Sequence, residues 1–431
     1  LRMAAGGGLN DMSAPAAPLL SPWREAFARF AAPLSDADRR VRGDEFARFA
    51  ARGFPTTRLE DWKYTDVSTL AERGFDVAAS SATAPDLSAY LLGGCDHLVL
   101  VDGHVRTGAD PAPAAPLPAP TETSDAIVSL NRAFATGGAV VSLAAGERRP
   151  RALQILVVTT RAAEGRMTHL AHRLVLGQGA TADVLLEHVD LGTTTHFTTQ
   201  TLDIRLARGA QLRLTRLQRE GAGTTHLFRG AAALGEASSL EVCNIDLGGG
   251  LVRNDWVAEL VERDASVRLD GVYAPKGSTH VDNHTRIDHR APHCQSREFF
   301  RGLALDTAHA VFNGKIVVHP GAQKTDSEQR VANLILSPKA EVNAKPELEI
   351  YADDVKCAHG ATFGQLDRTA LFYLRSRGLS LEQARGLLTL AFAREPVRRI
   401  ADTTIRRHAD GHVARQVGGD AHDPSLDETI E

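Results

Sequence analysis

Cys357 and His359 are the residues whose types and spacing point most directly to metal chemistry. They follow a strand-like run (Leu348, Ile350, Tyr351, Val355) and precede Gly360. In an extended backbone residues i and i+2 face the same side. The two Cα atoms are then about 6.5 Å apart, at a rise of roughly 3.3 Å per residue. One tetrahedral ion with ligand bonds of about 2.0–2.3 Å fits that pair poorly. A larger cluster, or a ligand set completed by a second protein, fits better. Imidazole suits iron, and thiolate suits iron–sulfur clusters. An isolated Cys-x-His is more commonly a buried thiol beside a hydrogen-bonded histidine.

The densest run of metal-type ligands is His280, His284, His289, His293 and Cys294. On a helix His280 and His284 would share a face, but Pro292 and the β-branched Thr279, Val281, Thr285 and Ile287 point to strand and turn. Extended, His280, Asp282 and His284 share one face, and His289 and His293 the other. A metallohydrolase is one reading; a ladder of polar residues along a β face is the favoured one. No phosphate-binding loop is present, because Asn313-Gly314-Lys315-Ile316 lacks the preceding glycine spacing and the following Ser/Thr. A nucleophile elbow is absent too, and Gly248-Gly249-Gly250 reads as a tight turn.

The chain has 431 residues and a formal net charge of −4, with mixed charges and no nucleic-acid footprint. That length accommodates two or three domains. Cys95, Cys243, Cys294 and Cys357 are scattered without a C-x-x-C pair, which fits a reducing cytoplasm and neither a zinc ribbon nor a disulfide framework. No run of 18 apolar residues occurs. The opening LRMAAGGGLNDMSAPAAPLL reads as a flexible leader over 1–20, with Met3 and Met12 as candidate starts.

These residues need elements to position them. Residues 21–95 read mainly as helix. Ser21 and Pro22 open a first segment with Trp23, Phe27 and Phe30 on one face. A second runs from Ser35 to Gly53, before Pro55. The Pro/Ala-rich Asp110–Pro120 reads as a linker, and Ser124–Phe134 as helix, completing an N-terminal region over 21–149. From 150 to 356 the pattern has period two. A unit recurs in it: Gly179-Ala180-x-Ala182-x-Val184, Gly209-Ala210-x-Leu212-x-Leu214, Glu236-Ala237-x-x-Leu240-x-Val242 and Asp264-Ala265-x-Val267-x-Leu269, with Lys339-Ala340-x-Val342 out of step. Regular β units of this length predict a solenoid whose units bury their faces by stacking; a β-sandwich with similar turns is the alternative. Helices return over 357–415: Asp367 caps one stopped by Gly378, and Ser380-Leu381-Glu382-Gln383 is a capping box for the next. Pro396 interrupts or kinks that helix. The arginines at 394, 398, 399, 406 and 407 read as a solvated helical face, with the border of a partner-binding surface as the alternative. Residues 416–431 are polar and expected to be disordered.

Leu348–Gly378, and within it Cys-x-His-Gly and FYLRSRG, closely resembles the C-terminal part of the SufB/SufD family, which scaffolds iron–sulfur cluster assembly. Glu60-Asp61-Trp62-Lys63-Tyr64-Thr65 resembles the SufD branch of that family. Asp246-Leu247-Gly248-Gly249, Val311–Ile316, Ala322–Asp326 and Asn333–Ser337 resemble its shared core. The resemblance implies a mainly β protein, with a right-handed parallel β-helix between helical regions, that acts as a scaffold and not as an enzyme. It implies pairing with SufB, docking of the ATPase SufC, a transient iron–sulfur cluster at the SufB interface, and room for a flavin in the complex. By it His359 is the first cluster ligand and Cys357 the second. Phe372, Tyr373, Leu374 and Leu387 are expected to carry the ATPase contact. In isolation the chain is expected to self-associate through the SufB surface. A SufB-like homodimer and a β-helix polysaccharide lyase or hydrolase are the alternatives.

Overall fold

The computed structural model describes residues 20–80, 85–107, 125–192 and 195–418. Residues 1–19 of the leader, the Asp110–Pro120 linker and the tail beyond Gly418 lie outside that set.

From Val140–Leu143 onward consecutive strands alternate between two sheets, so each pair of strands makes one turn of a parallel β-helix. Among the described residues one sheet has nine strands and ends at Glu341–Ile350; the other has ten and ends at Lys356–Gly364. Among the described residues every pairing between strands is parallel except Asp96–Val101 with His104–Thr107. The alternating apolar residues point inward and stack turn on turn. Val184, Leu214, Val242 and Leu269 form one such buried column.

The repeat in the sequence is a turn. Gly179, Gly209, Ala237, Asp264, His293 and Lys324 all have φ between 51° and 67°. Each is followed by a small buried residue: Ala180, Ala210, Ser238, Ala265, Cys294 and Thr325. The amide of each left-handed residue donates to a carbonyl one turn further on, as in Gly209 N→Glu236 O (2.8 Å), Ala237 N→Arg263 O (3.0 Å) and His293 N→Gln323 O (2.9 Å). That ladder holds four non-glycine residues in a conformation they ordinarily avoid. The third unit therefore pairs Ala237-Ser238, one residue later than the Glu236-Ala237 alignment suggests. Ala340 is out of step because it precedes a strand of the other sheet.

The N-terminal segment is less helical than its pattern indicates. Helices α1 (Ser21–Ala31), α2 (Asp36–Arg52) and α3 (Thr69–Glu72) are separated by turns, and Asp76–Val77 is already a strand. Parallel pairing also begins before residue 150, at Asp96–Val101 and Val140–Leu143. These strands are short and interrupted, so period two had little length in which to show. Helix α4 (Ala126–Phe134) is capped by Asp125 and completes a buried aromatic cluster of Trp23, Phe46, Phe49, Phe54, Phe75, Phe134 and Phe197.

Helices α5 (Arg368–Ser376), α6 (Leu381–Val397) and α7 (Thr403–Gly418) follow the last strand. Asp367 caps α5, and both hydrogen bonds of the Ser380/Gln383 capping box are made. Pro396 lies in the last turn of α6, where it ends the helix without breaking its middle. Gln416–Gly418 are helical, and Gln416 Nε2 donates to Ala274 O. Leu390, Ala393, Val397, Ile405 and Val413 bury the outer face of the ten-stranded sheet at Leu185, Leu217, Ile245, Val272 and Leu303. Among the described residues no helix is long and apolar enough to cross a membrane.

Candidate functional site at the open edge

The two terminal strands, Glu341–Ile350 and Lys356–Gly364, each pair with a single parallel neighbour. Their outer backbone groups thus face away from the sheet, ready for another chain. Side chains along both strands are half-buried or exposed, in contrast to the buried alternation beneath them.

Cys357 and His359 lie in register over Ser327 and Gln329, whose side chains are buried inside the coil. Both residues therefore belong to the inward-facing set of the last turn. Cys357 is half-buried and packs on the end of the core. His359 is exposed, because no further turn covers it. The structure thus places the pair on one face, at the mouth of the coil. Burial, aided by the charge of Asp326, pushes the Cys357 thiol above its ordinary value, so it rests protonated. A cation arriving at the mouth would supply the charge a thiolate needs.

Beneath His359 runs a polar column. Gln329 sits in register with Glu298, and its Nε2 donates to the Glu298 carboxylate. Burial pushes Glu298 up to about 7 against the hydrogen bond from Gln329. Around the mouth Ile350, Tyr351 and Phe363 are exposed. So are Phe372 (75%) and Tyr373 (56%) on α5, while Leu374 and Leu387 are half-buried.

The tryptophan segment is a clamp between the N-terminal region and the nine-stranded sheet. The Arg253 guanidinium lies 3.9 Å from the Trp62 ring centroid and donates to Asp61 O and to Asp282. Thr65 Oγ1 donates to Asp282 and lies 2.8 Å from His280 Nε2. Lys345, on the terminal strand, donates to Glu60 Oε1 at 2.7 Å.

The histidine run does not converge on a metal. His280 packs edge-to-face against His309, and His284 pairs with Asp282. His289 bonds Ser296 inside the coil, and His293 and Cys294 occupy the left-handed turn. The five residues serve a ladder and a turn. The arginine-rich surface is likewise structural in part: Arg394 pairs with Asp410 at 2.7 Å, and Arg399 with Asp270 at 3.1 Å.

Two side-chain groups escaped the sequence reading. Glu187, His408 and His412 bring three ligand atoms within 4.8 Å, as do Asp190, His196 and Glu220. The i,i+4 spacing of His408 and His412 was a legible signal; the second group, drawn from two coils, had none.

Comparison with known proteins agrees over most of the length. The family model described as SUF system FeS cluster assembly, SufBD core domain, matches residues 158–392. The SufBD protein N-terminal region matches residues 23–96. The iron-sulfur cluster assembly protein SufD of Escherichia coli is 30% identical over 86% of this chain and 90% of its own. A SufBD family protein of Synechocystis is 29% identical over 79% and 83%. A SufBD family protein of Mycobacterium tuberculosis is 25% identical over 87% and 93%.

Proposed function

Because the chain belongs to the SufBD family of SUF-system iron–sulfur cluster assembly proteins, we propose that it is the SufD-type scaffold subunit of such a complex. Its terminal strands pair with SufB, His359 ligates a nascent cluster across that interface, and Cys357 assists. The observation that carries this reading is the position of His359: inward-facing, exposed, and on a strand with one open side. A histidine at a mouth that a second coil would close has half a coordination sphere to offer and half to receive. Such a shared ligand suits a cluster built for release. In isolation, the same open strands pair two copies of the chain. The work of assembly requires ATP, and with no phosphate-binding loop in this sequence the ATPase is SufC, docked on α5 and α6.

Anaerobic co-expression with SufB and SufC, followed by iron and sulfide analysis of the purified complex, tests the scaffold reading. A complex that forms but never retains iron and sulfide would refute it. For the ATPase contact, Phe372→Ala with Tyr373→Ala is expected to weaken SufC binding about tenfold, since exposed aromatics anchor interfaces. The melting temperature should hold, because both rings are mostly solvent-exposed. Unchanged SufC affinity would move the docking surface elsewhere. Deleting everything from Asp367 is not an equivalent test, because it also strips the apolar cover from the ten-stranded sheet.

A further inference from the structure

We infer that Asp190, His196 and Glu220 form a binding site for one first-row divalent cation on the flank of the β-helix. Asp190 ends the strand Thr181–Asp190, His196 begins His196–Leu206, and Glu220 follows Gln211–Arg219. Glu220 lies five strands from Lys356–Gly364 in the sheet order, about 24 Å at roughly 4.8 Å per strand. The group is therefore separate from the open edge, and this inference does not depend on the function proposed for that edge.

Each carboxylate has one oxygen anchored by hydrogen bonds, and each brings a ligand atom within 4.8 Å of the imidazole. Asp190 Oδ2 accepts from the Gly221 amide at 2.5 Å and from Thr224 Oγ1 at 3.3 Å. Asp190 Oδ1 is buried and has no hydrogen-bond partner. Glu220 Oε2 accepts from His226 Nδ1 at 2.5 Å and from Gln218 Nε2 at 2.9 Å. Glu220 Oε1 faces His196 Nε2 at 3.6 Å. The protonation of His226 follows from its neighbours. A guanidinium only donates, so Arg216 Nη2, 3.0 Å away, requires Nε2 of His226 to accept and Nδ1 to carry the proton given to Glu220. His226 thus orients a ligand without being one, the usual role of groups behind a metal ligand. Arg216 is paired with Asp246 at 3.0 Å and feels the charge of Glu220 more weakly.

Two carboxylate oxygens and one imidazole nitrogen, within 4.8 Å of one another, suit Fe(II), Mn(II) or Zn(II) and leave positions for water. Asp190 is half-buried, whereas His196 and Glu220 are buried, so Asp190 is the member of the group nearest solvent. A bound ion would staple successive coils together. The competing arrangement is an internal ion pair, with a protonated His196 between the acids. The other three-ligand group is a poorer candidate, because Glu187 already accepts from Arg219 and His408 on one oxygen and from Gln154 on the other.

The test uses the full chain, stripped with chelator and titrated anaerobically with Mn(II) and, separately, Zn(II). One tight equivalent is expected, weakened at least about tenfold by Asp190→Asn or Glu220→Gln and retained in the Cys357→Ser/His359→Ala double variant. The Asp190→Asn side chain keeps an oxygen that accepts from the Gly221 amide, which protects the turn. Pulsed EPR of Mn(II) bound to the wild-type chain should show a single imidazole nitrogen, and this measurement decides the matter should the variants misfold. Failure to bind either metal, binding lost only in the edge variant, or bound Mn(II) without imidazole coupling would each overturn the site and leave the ion pair.

Discussion

His359→Ala is expected to leave the melting temperature within about 1 °C of wild type, as for other exposed positions, while iron and sulfide retained by the SufB-containing complex fall about tenfold or more. The two halves have separate causes. The ring is exposed and lies above Gln329 without being covered, so its removal empties no cavity. A ligand shared across an interface, in contrast, has no substitute once the partner closes the mouth. Cys357→Ser should act more mildly on retention. Its thiol packs against the end of the core, so a small loss of stability accompanies the change. Melting and cluster content are measured on the same anaerobically purified variants. A lowered melting temperature with normal iron and sulfide would turn His359 into a packing residue and defeat its role as ligand.

How much of this was legible in sequence depends on whether the signal was local. Cys357 and His359 stand two apart on one strand, so residue type and period sufficed to put them on one face. The β-helix was legible from the alternation and the recurring turn, and the glycines at 179 and 209 marked that turn openly. His293 and Lys324 hid it, and Ala237 shifted its alignment by one residue, because the ladder of backbone hydrogen bonds between turns, and not side-chain freedom, holds them left-handed. That is how His293 and Cys294 came to resemble metal ligands: they are a turn residue and its small buried successor. The Trp62 segment was recognisable, but its work was not, since Arg253 and Asp282 meet it only through the fold. Asp190, His196 and Glu220 were invisible for the same reason: a coil brings together residues that a linear reading keeps apart.

Glu298→Gln is expected to raise stability at pH 8 by roughly 3 kcal/mol and to change little near pH 4. Glu298 is fully enclosed, and burial holds its proton until about pH 7, against an ordinary value of 4.5. Between those values the folded chain keeps a proton that the unfolded chain has lost. The native state then binds more protons, and stability falls as pH rises through the window. Above pH 7 the full cost remains, because a carboxylate must be carried inside the coil. Glutamine has the same shape and no charge to bury. Glu298 Oε1 and Gln329 Oε1 are both buried without partners, so a second amide in this column gains a donor where acceptors stand in excess. Chemical denaturation of both proteins from pH 4 to pH 8 measures the effect. Curves that run parallel across that range would show that Glu298 is ionised in the native coil, and that the column beneath His359 carries a negative charge after all.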